Sequence, residues 1–193
     1  MHSVCVFCGS NAGAREAYAL ATRALARVIA VRGLRLVYGG GSIGLMGVLA
    51  EEVLASGGHV IGVVPRRLVE KEVVRSDLSE LHVVETMQER KSLMAELSDG
   101  FIALPGGFGT LDELFEMLTW TQLGYHRKPC ALLNVEGYFE RLIAFLDHSV
   151  EQRFVTQAHR AMLVVERSPD VLLDRLAAEQ PPDSSKWMDC NPS

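Results

Sequence analysis

No stretch of this chain approaches the roughly 20 consecutive apolar residues that a membrane-spanning helix needs, so a membrane is not among the expected partners. The N-terminal run Met1-His-Ser-Val-Cys-Val-Phe7 has no basic segment and moves straight into a strand pattern, which argues against a secretory signal. Basic residues are in the minority. With 19 Lys and Arg against 24 Asp and Glu, the formal net charge of −5 argues against nucleic acid as the main partner. Cysteine is scarce, four in 193 residues, and no disulfide framework is expected. Cys5 and Cys8 have CxxC spacing, but a strand points positions three apart to opposite faces. Neither cysteine opens a helix as a redox pair would, and no second ligand pair exists for zinc. The cysteines therefore read as core residues in a reducing, cytoplasmic compartment. The six histidines are scattered singly, and nothing calls for a metal.

What is present is an alternation of apolar runs and helical periods. Val4-Cys-Val-Phe-Cys8 reads as a strand, Ala17 to Val31 as a helix stopped by Gly33, and Leu34 to Tyr38 as a second strand. A helix then runs to Ala55, and His59 to Val64 is a third strand broken by Pro65. Arg66 to Glu80 has no clear period and reads as an irregular excursion, partly helical, of the kind that closes over a site. Leu81 to Glu85 is a fourth strand. Thr86 with Glu89 forms a capping box that opens a helix to Leu97. Asp99 to Leu104 is a fifth strand, followed by a helix from Leu111 to Leu123. Lys128 to Asn134, Tyr138 to Gln152 and Met162 to Val165 read as strand, helix and strand. Ser168-Pro169 opens a last helix to Ala178, with serine at the N-cap and proline at the first helical position. Pro181 to Ser193 is polar and reads as a disordered tail. The expected fold is a single α/β domain over residues 1–180, doubly wound and Rossmann-like. Its sheet is mostly parallel, with helices on both faces.

Three strand-to-helix turns are rich in glycine, at Gly9, at Gly39-Gly40-Gly41-Ser42-Ile43-Gly44 and at Gly106-Gly107-Phe108-Gly109. In a parallel sheet these turns share the carboxyl edge, where ligands bind. Glycine admits a close ligand, and helix N–H groups beyond the turn favour an anion such as phosphate. Ser10, Gly40, Gly41, Ser42, Gly44 and the turn at Gly107 are thus candidate binding positions. Two other accounts stand beside this one. Gly39-x-Gly41-x-x-Gly44 matches a dinucleotide fingerprint, although the following strand ends in Pro65-Arg66-Arg67 rather than an acid, and the glycines follow the second strand. The turns also admit a purely backbone reason.

Glu113 and Glu116 lie one helical turn apart just past the third turn, where chemistry on a phosphorylated metabolite would use carboxylates. Thr110 with Glu113 equally matches a capping box. Arg90 interrupts the stripe formed by Met87, Met94 and Leu97, so its guanidinium needs a carboxylate or phosphate partner. Lys91 reads either as a phosphate contact or as a solvated lysine.

Taken together, GGGSIGLMG, ERKSLM, LPGGFGTLDELFE and TWTQLG resemble the Lonely Guy (LOG) family over about Val4 to Val165. Its members are cytokinin riboside 5′-monophosphate phosphoribohydrolases, also known under the name lysine decarboxylase. The resemblance implies a Rossmann-like fold, a homodimer or higher homo-oligomer, and no metal or organic cofactor. The implied reaction cleaves the N-glycosidic bond of AMP or an N6-substituted AMP, releasing base and ribose 5-phosphate. By resemblance, Arg90 and Glu113 match the catalytic pair. Gly107, Phe108, Gly109, Thr110, Leu111 and Asp112 match the nucleotide loop, while Lys91, Glu72 and Thr119 match flanking substrate contacts. One departure is Gln88, where the family often has histidine; a neutral amide hydrogen-bonds but does not titrate near neutral pH. The rival expectation is a non-catalytic nucleotide-binding or carrier protein. Lysine decarboxylation is disfavoured, because no lysine sits in an evident cofactor context.

Overall fold

The computed structural model describes residues 1–69 and 74–179. Along the chain run β1 (Ser3–Phe7), α1 (Glu16–Val31), β2 (Arg35–Tyr38), α2 (Gly44–Ala55), β3 (His59–Pro65) and α3 (Arg66–Val69). They are followed by β4 (Glu80–Val84), α4 (Met87–Glu96), β5 (Phe101–Ala103), α5 (Phe108–Leu123) and β6 (Cys130–Leu133). A 3-10 turn (Val135–Gly137), α6 (Glu140–Glu151), α7 (Gln157–Ala161), β7 (Leu163–Glu166) and α8 (Pro169–Ala178) complete the described chain. The strands form one seven-stranded sheet in the order β4-β3-β2-β1-β5-β6-β7, and every strand pair is parallel.

Strand alternation divides the core into two layers. Val4, Val6 and Leu36 point to the face covered by Leu25 and Ile29 of α1, Leu49 and Val53 of α2, and Leu172 and Leu176 of α8. Cys5, Phe7 and Val37 point to the other face, against Met94 of α4, Leu114 and Met117 of α5, and Phe139. Cys5 and Cys8 consequently belong to different core layers, as the strand period requires, and both are buried free thiols.

Several boundaries depart from the sequence reading. The helix expected from Leu111 begins at Phe108, with Gly107 at its N-cap and no side-chain cap. Thr110 therefore lies inside the first turn, and the Thr110–Glu113 capping box is not formed. The Thr86 cap is formed, with Thr86 Oγ1 accepting the Glu89 N–H at 3.1 Å, while the returning Glu89 Oε2 accepts the N–H of Glu85, one residue before the N-cap, at 2.9 Å. Ser168 and Pro169 stand where expected, although the serine hydroxyl makes no cap bond. The helix expected from Tyr138 is preceded by the 3-10 turn and begins at Glu140. The short α7 has no counterpart in the sequence reading; Thr156 Oγ1 caps it by accepting the His159 N–H at 3.1 Å. In the 66–80 excursion, α3 is followed at Val74 by an antiparallel bridge to Gly41. Glu72 and the expected tail at 181–193 lie outside the described residues. Among the described residues, no helix is long and apolar enough to cross a membrane.

Candidate active site

From β1 the chain turns toward β2 on one side of the sheet, and from β5 toward β6 on the other. At such a switch point the two outgoing loops diverge and leave a crevice at the carboxyl ends of the strands. A cavity of about 430 Å³ lies there, walled by the loop after β1, the loop after β5 and the first turns of α5. Gly9 and the second loop are held together by the Gly9 N–H, which donates to the Pro105 carbonyl at 3.1 Å.

The α5 end of the cavity has the chemistry of an anion site. A helix leaves its first backbone N–H groups without helical partners. Leu111 N–H bonds the Gly107 carbonyl at 3.1 Å, whereas among the described residues no hydrogen bond engages the N–H groups of Phe108, Gly109 and Thr110. A Cβ at Gly107 or Gly109 would meet nothing within 4 Å, so the space beside this turn is open. Phe108 stands at the rim, 94% exposed.

Deeper in, Arg90 of α4 and Glu113 of α5 form a pair, with Nη2 and Oε1 3.4 Å apart and side chains only 10% and 11% exposed. The guanidinium occupies a slot that exists because residue 39 is glycine: a Cβ there would overlap Arg90 Nη2. Its Nε is buried and has no hydrogen-bond partner among the described residues. Burial raises the Glu113 pKa to about 7, opposed by the Arg90 charge and assisted by the nearby Asp112 and Glu116 carboxylates. A carboxyl group poised near neutrality, beside a buried cation, is suited to general acid or base work.

Lys91 is placed differently from its neighbour. Its Nζ lies 3.1 Å from Asp112 Oδ2 and 2.9 Å from Glu116 Oε2, tying α4 to α5. Burial disfavours the ammonium, but the bonds to Glu116 and Asp112 outweigh it and hold the pKa above its ordinary value.

Of the candidate positions, Ser10, Arg90, Gly107, Phe108, Gly109, Thr110, Asp112 and Glu113 line the cavity together. Gly40, Gly41, Ser42, Gly44, Lys91, Leu111 and Thr119 are not on its wall. The backbone at the start of α2 is taken up by protein, although Leu45 and Met46 themselves line the cavity: Leu45 N–H donates to the Gly9 carbonyl at 3.0 Å, and a Cβ at Gly44 would overlap the Ser10 carbonyl. Thr119 Oγ1 donates to the Phe115 carbonyl at 2.7 Å on the outer part of α5. Sequence reasoning missed Asn11, Tyr18, Met46, Met87 and Tyr138, all of which line the cavity. Met87 had a signal, as a neighbour of Arg90 on one helical stripe, and Arg90 Nη1 lies 3.8 Å from its sulfur. Tyr18 and Tyr138 had none, since each reaches the crevice from outside the glycine turns.

A family model described as possible lysine decarboxylase matches residues 46–176. The chain is 48% identical over 178 residues to the cytokinin riboside 5′-monophosphate phosphoribohydrolase LOG5 of Arabidopsis thaliana, covering 92% of this chain and 78% of that one. It is 46% identical over 178 residues to the probable cytokinin riboside 5′-monophosphate phosphoribohydrolase LOGL6 of Oryza sativa subsp. japonica, covering 92% and 71% of the two chains. Among solved structures, the molybdenum cofactor carrier protein of Chlamydomonas reinhardtii is similar at a TM-score of 0.68 and 22% identity, over 92% of this chain and 98% of that one. That last likeness is one of fold.

Proposed function

The chain belongs to the family of the cytokinin riboside 5′-monophosphate phosphoribohydrolases that the possible lysine decarboxylase model describes, and from this membership we propose that it hydrolyses the N-glycosidic bond of an adenosine 5′-monophosphate, plain or N6-substituted. The products are the free adenine or cytokinin base and ribose 5-phosphate. The observation that carries the reading is the buried Arg90–Glu113 pair, beside the open first turn of α5 and inside one cavity.

In this reading the 5′-phosphate sits against the first turn of α5, where unpaired N–H groups and the positive helix end favour an anion. Holding the phosphate there fixes the ribose against Glu113. Cleavage builds positive charge on the ribose at C1′. Glu113, as a carboxylate, stabilises that charge and takes a proton from the attacking water, whose hydroxyl bonds C1′ as the C1′–N bond breaks and its electron pair leaves with the purine, which takes up a proton from solvent. Arg90 positions the substrate and neutralises negative charge on phosphate or purine. Asp112 and Ser10 complete the polar wall, and Glu116 acts through Lys91 to hold α5 in place.

Two further parts of the reading follow the family expectation. The chain assembles as a homodimer or higher homo-oligomer through the face around Trp120 and the exposed Tyr125, and sedimentation reads the mass of that assembly. A reducing, cytoplasmic setting agrees with the buried free thiols Cys5, Cys8 and Cys130. Decarboxylation of lysine finds less support, because no lysine is among the described residues that line the cavity. A carrier role is suggested only by fold likeness. The test is a panel of nucleoside monophosphates, AMP and N6-isopentenyl-AMP among them, assayed for free base and ribose 5-phosphate. Stoichiometric release of both products supports the hydrolase, and tight binding without release favours the carrier.

A further inference from the structure

Tyr138 comes from the far side of the crevice, after β6, and belongs to no glycine turn. Its hydroxyl donates to the Gly106 carbonyl at 2.6 Å, across 32 residues of sequence. A trans peptide is planar, with its C=O and N–H directed oppositely. Fixing the Gly106 oxygen toward Tyr138 therefore turns the Gly107 N–H away from it, and this is the peptide that enters α5.

The segment that presents Tyr138 is itself tightly determined. Asn134 is buried; its Oδ1 accepts the Phe139 N–H at 2.9 Å and its Nδ2 donates to Glu140 Oε1 at 2.9 Å. Arg167 Nη2 holds the same Glu140 oxygen at 2.8 Å. Between these anchors Glu136 has φ 51°, a left-handed conformation in a residue other than glycine, which costs on the order of 1 kcal/mol or more. The Tyr138 ring packs edge-on against Tyr18, with centroids 5.7 Å apart, and both rings line the cavity. A strained turn, held from both ends and closed by a hydroxyl on the Gly106 carbonyl, is a device for setting one peptide's orientation.

We propose that Tyr138 is a positioning residue for the phosphate end of the site: it orients the Gly106–Gly107 peptide so that the entrance to α5 receives the 5′-phosphate. This rests on the reading that α5 holds the phosphate. The hydroxyl touches the turn and acts on substrate through it. Removing it relaxes the turn while leaving the base-binding side of the cavity as it was.

The test is Tyr138→Phe, which keeps the ring and its packing, measured by calorimetric titration in a Glu113→Gln background that leaves the nucleotide intact. AMP binding is expected to weaken about tenfold, with adenosine binding changed less than about twofold and the melting temperature shifted less than about 2 °C. Equal losses for AMP and adenosine, or unchanged AMP binding in a protein that prefers AMP to adenosine, overturn the role of Tyr138 alone. A protein with native Tyr138 that holds AMP no better than adenosine removes the phosphate site itself.

Discussion

The turn after β2 and the turn after β5 look alike in sequence, each a glycine cluster between strand and helix, yet they face different things. After β5 the glycines at 107 and 109 have open space where a side chain would go, on the wall of the cavity. After β2 the same open-backbone chemistry is used up by protein. Gly39 makes room for the Arg90 guanidinium, and Gly44, with φ 59°, packs against the Ser10 carbonyl. The lesson is that glycine marks a close approach without saying by what. Here one turn leaves open space on the cavity wall, while the other admits the Arg90 guanidinium.

The difference has consequences that separate the two turns. At Gly44, alanine carries both a left-handed backbone penalty and an overlap with the Ser10 carbonyl, and should destabilise the fold by about 4 kcal/mol in urea denaturation. A neutral result would mean that the first turn is as open as the second. Glu113 pairs with the guanidinium that Gly39 admits, and its titration comes next in size. The folded chain keeps the Glu113 proton up to about pH 7 because of burial, whereas the unfolded chain loses it near the ordinary glutamate value of 4.5. At Glu113 the folded state thus binds more protons between these values, so this group's contribution to stability falls as pH rises through the window and levels off above it. The expected loss from this group is about 3 kcal/mol, read as the difference between the native protein and Glu113→Gln, because His126, whose pKa burial lowers to about 4, contributes a slope of opposite sign in both.

Gly39→Ala pushes the guanidinium from its slot and should lower kcat/KM about a hundredfold, the scale of a displaced catalytic group. Gly107→Ala should do the opposite of Gly44→Ala: stability changes by less than about 1 kcal/mol while AMP binding weakens about tenfold. Should Gly107→Ala instead unfold the protein and leave binding alone, the assignment of the two turns would be reversed.

Much of the fold was legible because burial leaves a direct trace. Val4 to Phe7 and His59 to Val64 are apolar runs of strand length, and Thr86 with Glu89 is a local signal that depends on nothing distant. The entrance to α5 was misplaced because Gly107 and Gly109 are poor helix formers, and the helix there is decided by the loop packing rather than by propensity. The five-residue α7 is shorter than a readable period. Within the site, Arg90 and Glu113 were legible as a buried cation and an acid that needed partners. The Tyr138 bond to Gly106 was not, because it arises from β5 and β6 lying side by side, which sheet order alone determines. Lys91 was read by its charge, but the two carboxylates that hold it come from a different helix.

We propose Glu113 as the group that acts on the ribose of a bound adenosine 5′-monophosphate. The most direct measurement mixes AMP with the native protein and with Glu113→Gln at equal, saturating occupancy, and quantifies free adenine by chromatography. Release by the native protein and none above background by the variant is the predicted result. Adenine release at the native rate from Glu113→Gln would contradict it.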